Sequence, residues 1–344
     1  MPITCLLAHV SINTCFCMKL ILMAKLSVGI VTAGGDAPGM NAAIRCCVRS
    51  LLAGDAKVLG IKRGYKGLIE KDFETLTSRS VSGIINLGGT ILRTARCDEI
   101  KNDWGLDVAA KNLNELSLDY LIVIGGDGTF RAAKEISRRS GVPCVGIPAS
   151  IDNDIDGTEE TIGFDTAVNT ALDAVDKIRD TAISHERFFI VEVMGRGSGF
   201  LAITVGLASG AEFILIPEKP PNINNIIERY RMMKSLGKTS MIAILAEGAM
   251  DGLTLVNELK KVVEAEVRFS SIGYIQRGGI PTVRSRILAN LFSSKAVEMI
   301  FDGKKDFMVG IVDNRIVENT LSGKKRVLGE RELHMLNLAE KLAI

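Results

Sequence analysis

Three glycine-rich loops carry the clearest chemical signal in this sequence. They contain Gly34-Gly35-Asp36, Gly125-Gly126-Asp127-Gly128 and Gly195-x-Gly197-x-Gly199, and each follows a short apolar run typical of a β-strand. Glycine there lets the backbone approach a ligand closely, and the N–H groups that begin the following helix bind anions. One such loop could be no more than a tight turn between a strand and a helix. Three of them indicate a phosphate or nucleotide site.

Acidic residues follow two of the predicted strands. Asp127 comes after the strand predicted at 120–124, and Asp152 and Asp154 come after the strand predicted at 142–147. With the helix between them, these strands form a βαβ unit whose right-handed crossover brings both carboxyl ends to one edge of the sheet. Carboxylates beside phosphate-binding loops can hold Mg²⁺ and supply the general base of phosphoryl transfer. The alternative is that Asp152 and Asp154 only cap a turn or a helix.

Two familiar nucleotide-binding motifs are incomplete in this chain. Gly237-Lys238-Thr239 resembles the end of a P-loop, but Met232 stands where that motif needs its first glycine. Phe200 stands where a dinucleotide-binding motif beginning at Gly195 needs its third glycine. The sequence therefore supports neither a P-loop NTPase nor an NAD-dependent dehydrogenase.

The order of the predicted elements indicates what positions these loops. From Lys25 onwards, short β-branched runs alternate with longer amphipathic segments. Runs such as LIVIG and MIAILA are typical of strands buried on both faces, and the alternation predicts an α/β fold with mostly parallel sheets. We predict strands at 26–32, 120–124, 142–147, 188–193, 213–216, 241–245 and 307–312, and helices at 40–53, 130–139, 166–184, 223–236 and 287–300.

Length and composition set the general class of the protein. The chain has 344 residues, 47% of them apolar and 24% charged, which predicts an ordered protein with two domains or one large bilobal unit. Its net charge of +2 gives no electrostatic reason to expect binding to nucleic acid or to an anionic membrane surface. Seven cysteines without the spacing of a disulfide framework indicate reduced thiols and a cytoplasmic protein.

Residues 1–23 are interpreted as an N-terminal extension, either disordered or placed before the true start of translation. The uncharged run at 1–18 contains Pro2, His9 and Asn13, which make it a poor membrane span. It also lacks the basic start and the cleavage site of a secretory signal. We therefore expect no association with a membrane.

Five motifs, taken in order, resemble the 6-phosphofructokinase family and in particular its ATP-dependent bacterial members. They are GGDAPGMNAAIR at 34–45, GGDGT at 125–129, IDND at 151–154, MGR at 194–196 and QRGG at 276–279. GGDGT alone also occurs in NAD kinases and lipid kinases, whereas the combination is specific. The resemblance implies two Rossmann-like three-layer α/β/α domains. Residues 24–163 plus 276–326 would bind the nucleotide, and residues 164–275 plus 327–344 would bind the sugar phosphate.

The resemblance implies a glycolytic enzyme that transfers a phosphoryl group from Mg-ATP to the 1-hydroxyl of D-fructose 6-phosphate. Asp152 would be the general base, Asp127 would hold Mg²⁺, and Arg196 would stabilise the charge on the transferred group. Ser150, in place of a more usual threonine, and Asp154 complete the implied catalytic set. The implied nucleotide-binding residues are Gly35, Tyr65, Arg96, Cys97, Lys101, Gly126, Asp127, Gly128 and Thr129.

The resemblance also implies a sugar-phosphate site that two subunits share. Arg187 and Arg268 would reach in from a neighbouring subunit of a homotetramer, or alternatively of a dimer. Arginine suits this role because its guanidinium group binds phosphate through two hydrogen bonds and stays charged. The other implied substrate-binding residues are Ser150, Ile151, Asp152, Met194, Gly195, Arg196, Glu247, Tyr274, Ile275, Gln276 and Arg277. Arg45, Arg49, Arg179, Glu212 and Lys238 match an effector site of bacterial members.

Two positions favour ATP over pyrophosphate as the phosphoryl donor. Family members that use pyrophosphate usually carry aspartate and lysine where this chain has Gly128 and Ala149. The alternatives are a pyrophosphate-dependent phosphotransferase, an NAD or lipid kinase, and a nucleotide-binding regulatory homologue without activity. The last of these would be expected to lack one of the catalytic residues, and the chain has them all.

Three other positions depart from the family pattern. Tyr274 replaces a histidine, and its hydroxyl can still donate a hydrogen bond to the sugar phosphate. Arg93 replaces a glycine and Ser285 replaces an aspartate, and the sequence alone explains neither change.

Overall fold

The computed structural model describes residues 25–343, and the predicted N-terminal extension lies outside the described residues. The described chain forms two β-sheets with helices packed against them. Between residues 25 and 343, no helix is both long and apolar enough to cross a membrane.

The larger sheet has eight strands and is parallel except at its edges. Its strands are β1 (Ser27–Ala33), β2 (Lys57–Ile61), β3 (Phe73–Thr75), β4 (Tyr120–Gly125), β5 (Cys144–Ser150), β6 (Ile162–Gly163), β11 (Phe307–Val312) and β12 (Arg315–Thr320). Their order is β12-β11-β5-β4-β1-β2-β3, with β6 paired to β5. Only the outer pairs β11·β12 and β2·β3 are antiparallel within this sheet. Strands β1 and β4, which precede the first two glycine-rich loops, therefore lie side by side at the centre of the sheet.

The smaller sheet has four strands, and all of its pairs are parallel. Its strands are β7 (Phe188–Val193), β8 (Phe213–Leu215), β9 (Met241–Ala246) and β10 (Val267–Ser271). Their order is β10-β7-β9-β8. Because β7 lies between two neighbours, the third glycine-rich loop also leaves a central strand.

The helices follow the strands in the alternating order that the sequence predicts. In the described range they are α1 (Met40–Ala53), α2 (Gly64–Glu70), α3 (Asp103–Glu115), α4 (Asp127–Ser140), α5 (Phe164–Ser184), α6 (Phe200–Ser209), α7 (Ile223–Ser235), α8 (Gly252–Lys260), α9 (Val283–Phe301) and α10 (Glu330–Leu342). Two short 3-10 turns lie at Glu99–Lys101 and Gly273–Arg277.

Alternate residues of the central strands enter cores on opposite faces of the larger sheet. Ile122 and Ile124 of β4 pack in a core with α1 and α9, whereas Leu121 and Val123 pack in a second core with α2, α3 and α4. The first core continues through α5 and α6 to one face of the smaller sheet, and α7 and α8 cover its other face. Burial on both faces explains why these strands are continuous apolar runs.

The predicted fold class is confirmed, but the sequence did not predict strands β2, β3, β6, β10 and β12 or helices α2, α3, α6, α8 and α10, and one predicted helix begins earlier than expected. Helix α4 begins at Asp127 and not at the predicted residue 130, because Gly126 before it has an extended backbone that starts the helix there. Asp127 therefore lies in the first turn, where its negative charge interacts favourably with the helix dipole. The two predicted domain boundaries stay a prediction. The larger sheet is built from 27–163 and 307–320, and the smaller one from 188–271.

Candidate active site

Asp127 and Asp152 lie at the same edge of the larger sheet. Strands β4 and β5 are hydrogen-bonded neighbours, with Gly125 opposite Pro148. Asp127 begins the helix two residues beyond β4, and Asp152 lies two residues beyond β5. Adjacent strands are about 4.8 Å apart, so the two loops open into one cleft.

Asn153 fixes the turn that carries the two other aspartates. Its φ of 54° lies in the left-handed region, which asparagine tolerates better than most residues. Its Oδ1 accepts a hydrogen bond from the Thr161 N–H at 2.9 Å, and its Nδ2 donates to the Glu159 carbonyl at 2.9 Å. The Ser150 hydroxyl accepts a hydrogen bond from the Asp152 N–H at 3.2 Å. The hydrogen bonds of Asn153 therefore fix the turn and hold its neighbour Asp152 at the cleft.

The Asp152 carboxylate has the properties of a general base. Its Oδ1 is buried and receives no hydrogen bond from the described residues. Burial raises the pKa of Asp152 to about 6, with a further increase from Asp154 and Glu247 that Arg277 and Lys325 oppose. A carboxylate with this pKa and a free acceptor atom is suited to take a proton near neutral pH.

Arg277 joins the first glycine-rich loop to the loop that follows β10. A Cβ added at Gly35 would lie 2.9 Å from Arg277 Nη1, so the guanidinium group sits directly over this glycine. The guanidinium carbon also lies 5.7 Å from the centre of the Tyr274 ring. Arg277 Nε is buried without a partner among residues 25–343. An arginine with an unused buried donor beside a glycine loop is well placed to bind an anion.

The third glycine-rich loop closes the other side of the cleft. Gly195 has a φ of 130°, which favours glycine, and a Cβ added at Gly248 would lie 1.9 Å from the Arg196 carbonyl oxygen. The Ser198 hydroxyl donates a hydrogen bond to the Asp152 carbonyl at 3.2 Å. The loop of the smaller sheet that carries Arg196 is therefore tied to the turn of the larger sheet that carries Asp152.

Asp127 faces the cleft and is paired in this structure with an arginine. Its carboxylate accepts a hydrogen bond from Arg131 Nη2 at 2.8 Å, and 21% of its side chain is exposed. The part of the chain that the structure describes contains no group of three or more acidic, histidine or cysteine side chains arranged to hold a metal. A single carboxylate fits Mg²⁺, which is commonly bound by one or two carboxylates together with substrate phosphates.

Comparison with known proteins identifies the family. A sequence model of a protein family described as Phosphofructokinase matches residues 27–300. The chain belongs to the phosphofructokinase family. ATP-dependent 6-phosphofructokinase of Oceanobacillus iheyensis is 47% identical over 92% of this chain and 99% of its own length, and that of Bacillus subtilis is 45% identical over the same shares.

Solved phosphofructokinase structures have the same fold. The Pichia pastoris enzyme in the T-state superposes with a TM-score of 0.83 at 31% identity, covering 93% of this chain but 37% of that longer chain. The pyrophosphate-dependent phosphofructokinase of Marinobacter aquaeolei superposes with a TM-score of 0.79 at 21% identity, over 91% of each chain. At this low identity the second likeness shows the fold alone.

The predicted nucleotide-binding residues differ in exposure. Tyr65 is 4% exposed, and its hydroxyl donates a hydrogen bond to the Thr129 carbonyl at 2.6 Å. The Thr129 hydroxyl in turn donates to the Ala33 carbonyl at 2.9 Å. Both side chains thus hold the glycine-rich loops in place, whereas Arg96 and Lys101 are exposed. The direct nucleotide contacts of these residues, and of half-buried Cys97, stay predictions.

Most of the predicted sugar-phosphate residues surround the cleft. Gln276 is fully buried, and its Oε1 accepts a hydrogen bond from the Met194 N–H at 3.4 Å. It therefore supports the third glycine-rich loop, which follows β7. Glu247 is near enough to raise the pKa of Asp152. Ile151 is buried, whereas Tyr274 and Ile275 are 76% and 70% exposed.

Arg187 and Arg268 lie at the opposite end of the smaller sheet. Arg187 comes before β7, whereas Met194 follows it, and six residues at about 3.3 Å each separate the two ends by roughly 20 Å. Arg187 Nε is 2.5 Å from Glu266 Oε2, and Arg268 pairs with the same carboxylate. The structure therefore brings these two arginines together, but away from the Asp152 cleft of their own chain.

Three of the five predicted effector-site residues form one cluster. Lys238 Nζ is 3.0 Å from Glu212 Oε1, and Arg179 Nη1 is 3.8 Å from the same oxygen. Glu212 is only 5% exposed. Arg45 and Arg49 lie on α1, which packs against α9 and is not part of this cluster.

The structure shows the surroundings of the two departures that the sequence left open. Arg93 has a φ of 60°, a left-handed conformation that glycine adopts without steric cost, which accounts for the glycine of other members. Ser285 is buried, and its hydroxyl is 2.8 Å from that of Thr166. The nearby Asp165 carboxylate accepts a hydrogen bond from the Thr282 hydroxyl at 2.5 Å.

One charged residue of the cleft was missed by the sequence analysis. Lys325 Nζ is 2.7 Å from Asp154 Oδ2. It belongs to the run Lys324-Lys325-Arg326, which is typical of a solvated surface loop and gives no signal of a site.

Proposed function

We propose that this chain transfers the terminal phosphoryl group of ATP to the 1-hydroxyl of fructose 6-phosphate, giving fructose 1,6-bisphosphate and ADP. Its family and the names of relatives at 45% to 47% identity support the reaction. The observation that carries the role of Asp152 is its buried Oδ1, which has no hydrogen-bond partner among the described residues. A cytoplasmic location is part of the proposal, and the free thiols of the described cysteines support it.

The cleft residues divide the chemistry between a base and positive charges. The oxygen of the sugar 1-hydroxyl attacks the terminal phosphorus of ATP, and ADP leaves. Asp152 Oδ1 accepts the proton of that hydroxyl. Arg277, which lies over Gly35, and Arg196 on the facing loop stabilise negative charge on the phosphate groups. Ser150 keeps Asp152 in place through the backbone hydrogen bond to its hydroxyl.

Asp127 is the residue that would hold Mg²⁺. Bound Mg²⁺ neutralises charge on the phosphates of the nucleotide. For the carboxylate to serve as a ligand, its present ion pair with Arg131 must loosen. Because Arg131 is largely exposed, its side chain is free to move away.

The space around Gly128 supports ATP as the donor. A Cβ at Gly128 would have no described heavy atom nearer than Arg131 Nη2 at 4.0 Å, so the glycine leaves an open area beside Asp127. An aspartate there would fill this area with a second negative charge. Ala149 is 2% exposed and supplies no positive charge for pyrophosphate.

Self-association is part of the proposed function, because a single chain lacks a complete sugar-phosphate site. Arg187 and Arg268 lie at the far end of β7, where they can serve only another subunit. An exposed apolar stripe on α9 supports association: Val283, Ile287 and Leu291 are 74%, 47% and 45% exposed and four residues apart. The assembly is a tetramer or a dimer.

A donor comparison tests the function. The purified protein is assayed for fructose 1,6-bisphosphate formation with ATP and, separately, with pyrophosphate. We expect turnover with ATP only, and a kcat that is lower by about 10²- to 10⁴-fold in Asp152→Asn. The matched control is Asp156→Asn, since Asp156 is an exposed aspartate of the same loop. Turnover with pyrophosphate alone would refute the donor, and an active Asp152→Asn variant would refute the base.

A further inference from the structure

Lys325 lies among the acidic residues of the cleft. Its Nζ is 2.7 Å from Asp154 Oδ2, and the charges of Asp154, Asp127 and Asp152 all raise the pKa of Lys325. A Cβ added at Gly197 would be 3.2 Å from this Nζ, so the ammonium group also faces the third glycine-rich loop. The Lys325–Asp154 ion pair at 2.7 Å is as close as that between Arg131 and Asp127 at 2.8 Å.

The backbone fixes the position of Lys325. Lys325 forms an antiparallel bridge with Ile155, and the Arg326 N–H donates a hydrogen bond to the Asp154 carbonyl at 2.8 Å. The Arg326 guanidinium pairs with buried Glu332 at 2.8 Å. The segment is therefore held against the Asp-Asn-Asp turn by main-chain contacts on both sides of the lysine, which keeps its side chain at the cleft.

Asp154 needs a positive partner at this position. It is 5% exposed, and it lies two residues from Asp152, whose pKa it raises. Two neighbouring carboxylates with little access to water cannot both remain ionised without a compensating charge. The groups that act on Asp152 are Asp154 and Glu247, which favour its protonated form, and Arg277 and Lys325, which favour its ionised form.

We propose that Lys325 is a positioning residue that holds the Asp154 carboxylate and offsets its charge, so that Asp152 stays ionised and ready to accept the substrate proton. This inference rests on the proposed function of Asp152 as the general base. It assigns a role in catalysis to a side chain that acts through its neighbours.

The pH dependence of kcat tests this role. We expect Lys325→Met to lower kcat at pH 7 and to move the acidic limb of the profile upward by about one pH unit, because an attractive charge near Asp152 is lost. The KM for each substrate should change little. Lys325→Arg, which keeps the charge, should restore the limb towards its wild-type position. The matched control is Lys324→Met, which changes the exposed neighbouring lysine and should leave the profile unchanged.

A second set of variants covers the case in which Lys325→Met does not fold. Asp154→Asn should move the acidic limb downward, and adding Lys325→Met to it should move the limb back up. Denaturation in urea without substrate gives an independent measurement. Lys325→Met should unfold at a lower urea concentration than the wild type, because it leaves a buried charge unpaired, and the double variant should recover part of the loss.

Three outcomes would overturn the inference. They are an unmoved acidic limb in both pairs of variants, a limb moved as far by Lys325→Arg as by Lys325→Met, and a raised KM for ATP with an unmoved limb. The last outcome would make Lys325 a direct nucleotide ligand. Wild-type protein that does not phosphorylate fructose 6-phosphate would refute the proposed function itself, whereas an active wild type with an unmoved limb in the variants refutes the role of Lys325 alone.

Discussion

The side chain of Asp152 is placed where its environment opposes its charge. Burial is the main cause of its raised pKa, and the neighbouring Asp154 carboxylate is the second. Its Oδ1 is buried and accepts no hydrogen bond from the described residues, so nothing replaces the water that it binds in the unfolded chain. A group that is ready to accept a proton from a substrate is therefore one that destabilises the fold when the protein is empty.

This cost predicts that Asp152→Asn stabilises the fold in a pH-dependent way. The pKa of Asp152 is raised from 3.8 to about 6. Below about pH 4 the folded and unfolded states both carry the proton, so the wild type has no penalty. Above about pH 6 both are ionised, and the penalty is complete at about 2 kcal/mol, allowing for partial exposure. The variant should exceed the wild type in free energy of unfolding by that amount at pH 8 and by little at pH 4.

Urea denaturation at the two pH values measures this difference. Asp156→Asn is the control, since an exposed aspartate loses no hydration on folding and should give the same small change at both pH values. A gain for Asp152→Asn that is equal at pH 4 and pH 8 would show that ionisation is not its cause.

The sequence predicted the two aspartates at the sheet edge but not the lysine beside them. Asp127 and Asp152 each follow a strand within a βαβ unit, so local order and the handedness of the crossover place them together. Lys325 pairs with Asp154 across 171 positions of the chain. Nothing local to a run of basic residues indicates such a partner, because the contact depends on how the C-terminal segment crosses the finished cleft.

Among the connecting elements, the loop at 88–93 contains a residue in an unfavourable conformation. Arg93 has a φ of 60°, and its carbonyl accepts a hydrogen bond from the Thr32 hydroxyl at 2.9 Å. A left-handed conformation costs a residue with a Cβ roughly 1–2 kcal/mol. We expect Arg93→Gly to raise the free energy of unfolding by about 1 kcal/mol, because glycine adopts this φ freely but loses more chain entropy.

Chemical denaturation of Arg93→Gly can be compared with Arg79→Gly. Both arginines are exposed and lie in loops, but Arg79 does not have a positive φ. The second variant should therefore lose stability through chain entropy alone. Equal changes in the two variants would mean that the φ of Arg93 carries no strain.

The central strands that are continuous apolar runs were predicted, whereas other elements were missed, among them the buried helix α6 and the exposed strand β3. The strands β4 and β9 are buried at every residue, and their positions follow directly from the apolar runs. Strand β3 has three exposed residues and pairs only at the edge of the larger sheet, so it has no pattern to detect. The start of α4 was placed too late because Asp127 and Gly128 are poor helix formers, and the geometry of Gly126 decides that end.

At the scale of the whole molecule, the proposed sharing of sites between subunits predicts that two defective variants restore each other. Asp152→Asn lacks the proposed base, and Arg268→Ala lacks an arginine proposed to serve another subunit. Co-expression gives mixed assemblies in which the Asp152 cleft of one chain meets the intact Arg268 of the other. For random pairing across two-fold interfaces, about a quarter of the sites should be complete, giving about a quarter of the wild-type activity.

The activity of the co-expressed mixture should be far greater than the sum of the activities of the two separate variants. Co-expression of Asp152→Asn with Asp127→Asn is the control, since both defects lie on the same side of the cleft and no mixed site is complete. Activity no greater than the sum of the separate variants would mean that each chain builds its own sugar-phosphate site.

The sequence predicted the general architecture and left the placement of the arginines to family resemblance. Alternating strands and helices dictate parallel sheets, and the confirmed fold follows from that pattern. Nothing in the residues around Arg187 or Arg268 indicates the proposed role in a different subunit. Support for that role comes from β7, which places Arg187 and Met194 at its two ends.

In the proposed assembly, the two ends of β7 also link the chemistry of this molecule to its symmetry. Each chain supplies its two arginines to a neighbouring chain and receives two arginines from the same or another neighbour. Every cleft is then complete only when the assembly has closed symmetry. In an open row of chains, the cleft of the first chain would lack its two arginines, and the two arginines of the last chain would serve no cleft. Closure is then more than a way to hide apolar surface, because it makes the count of working catalytic centres equal to the count of chains.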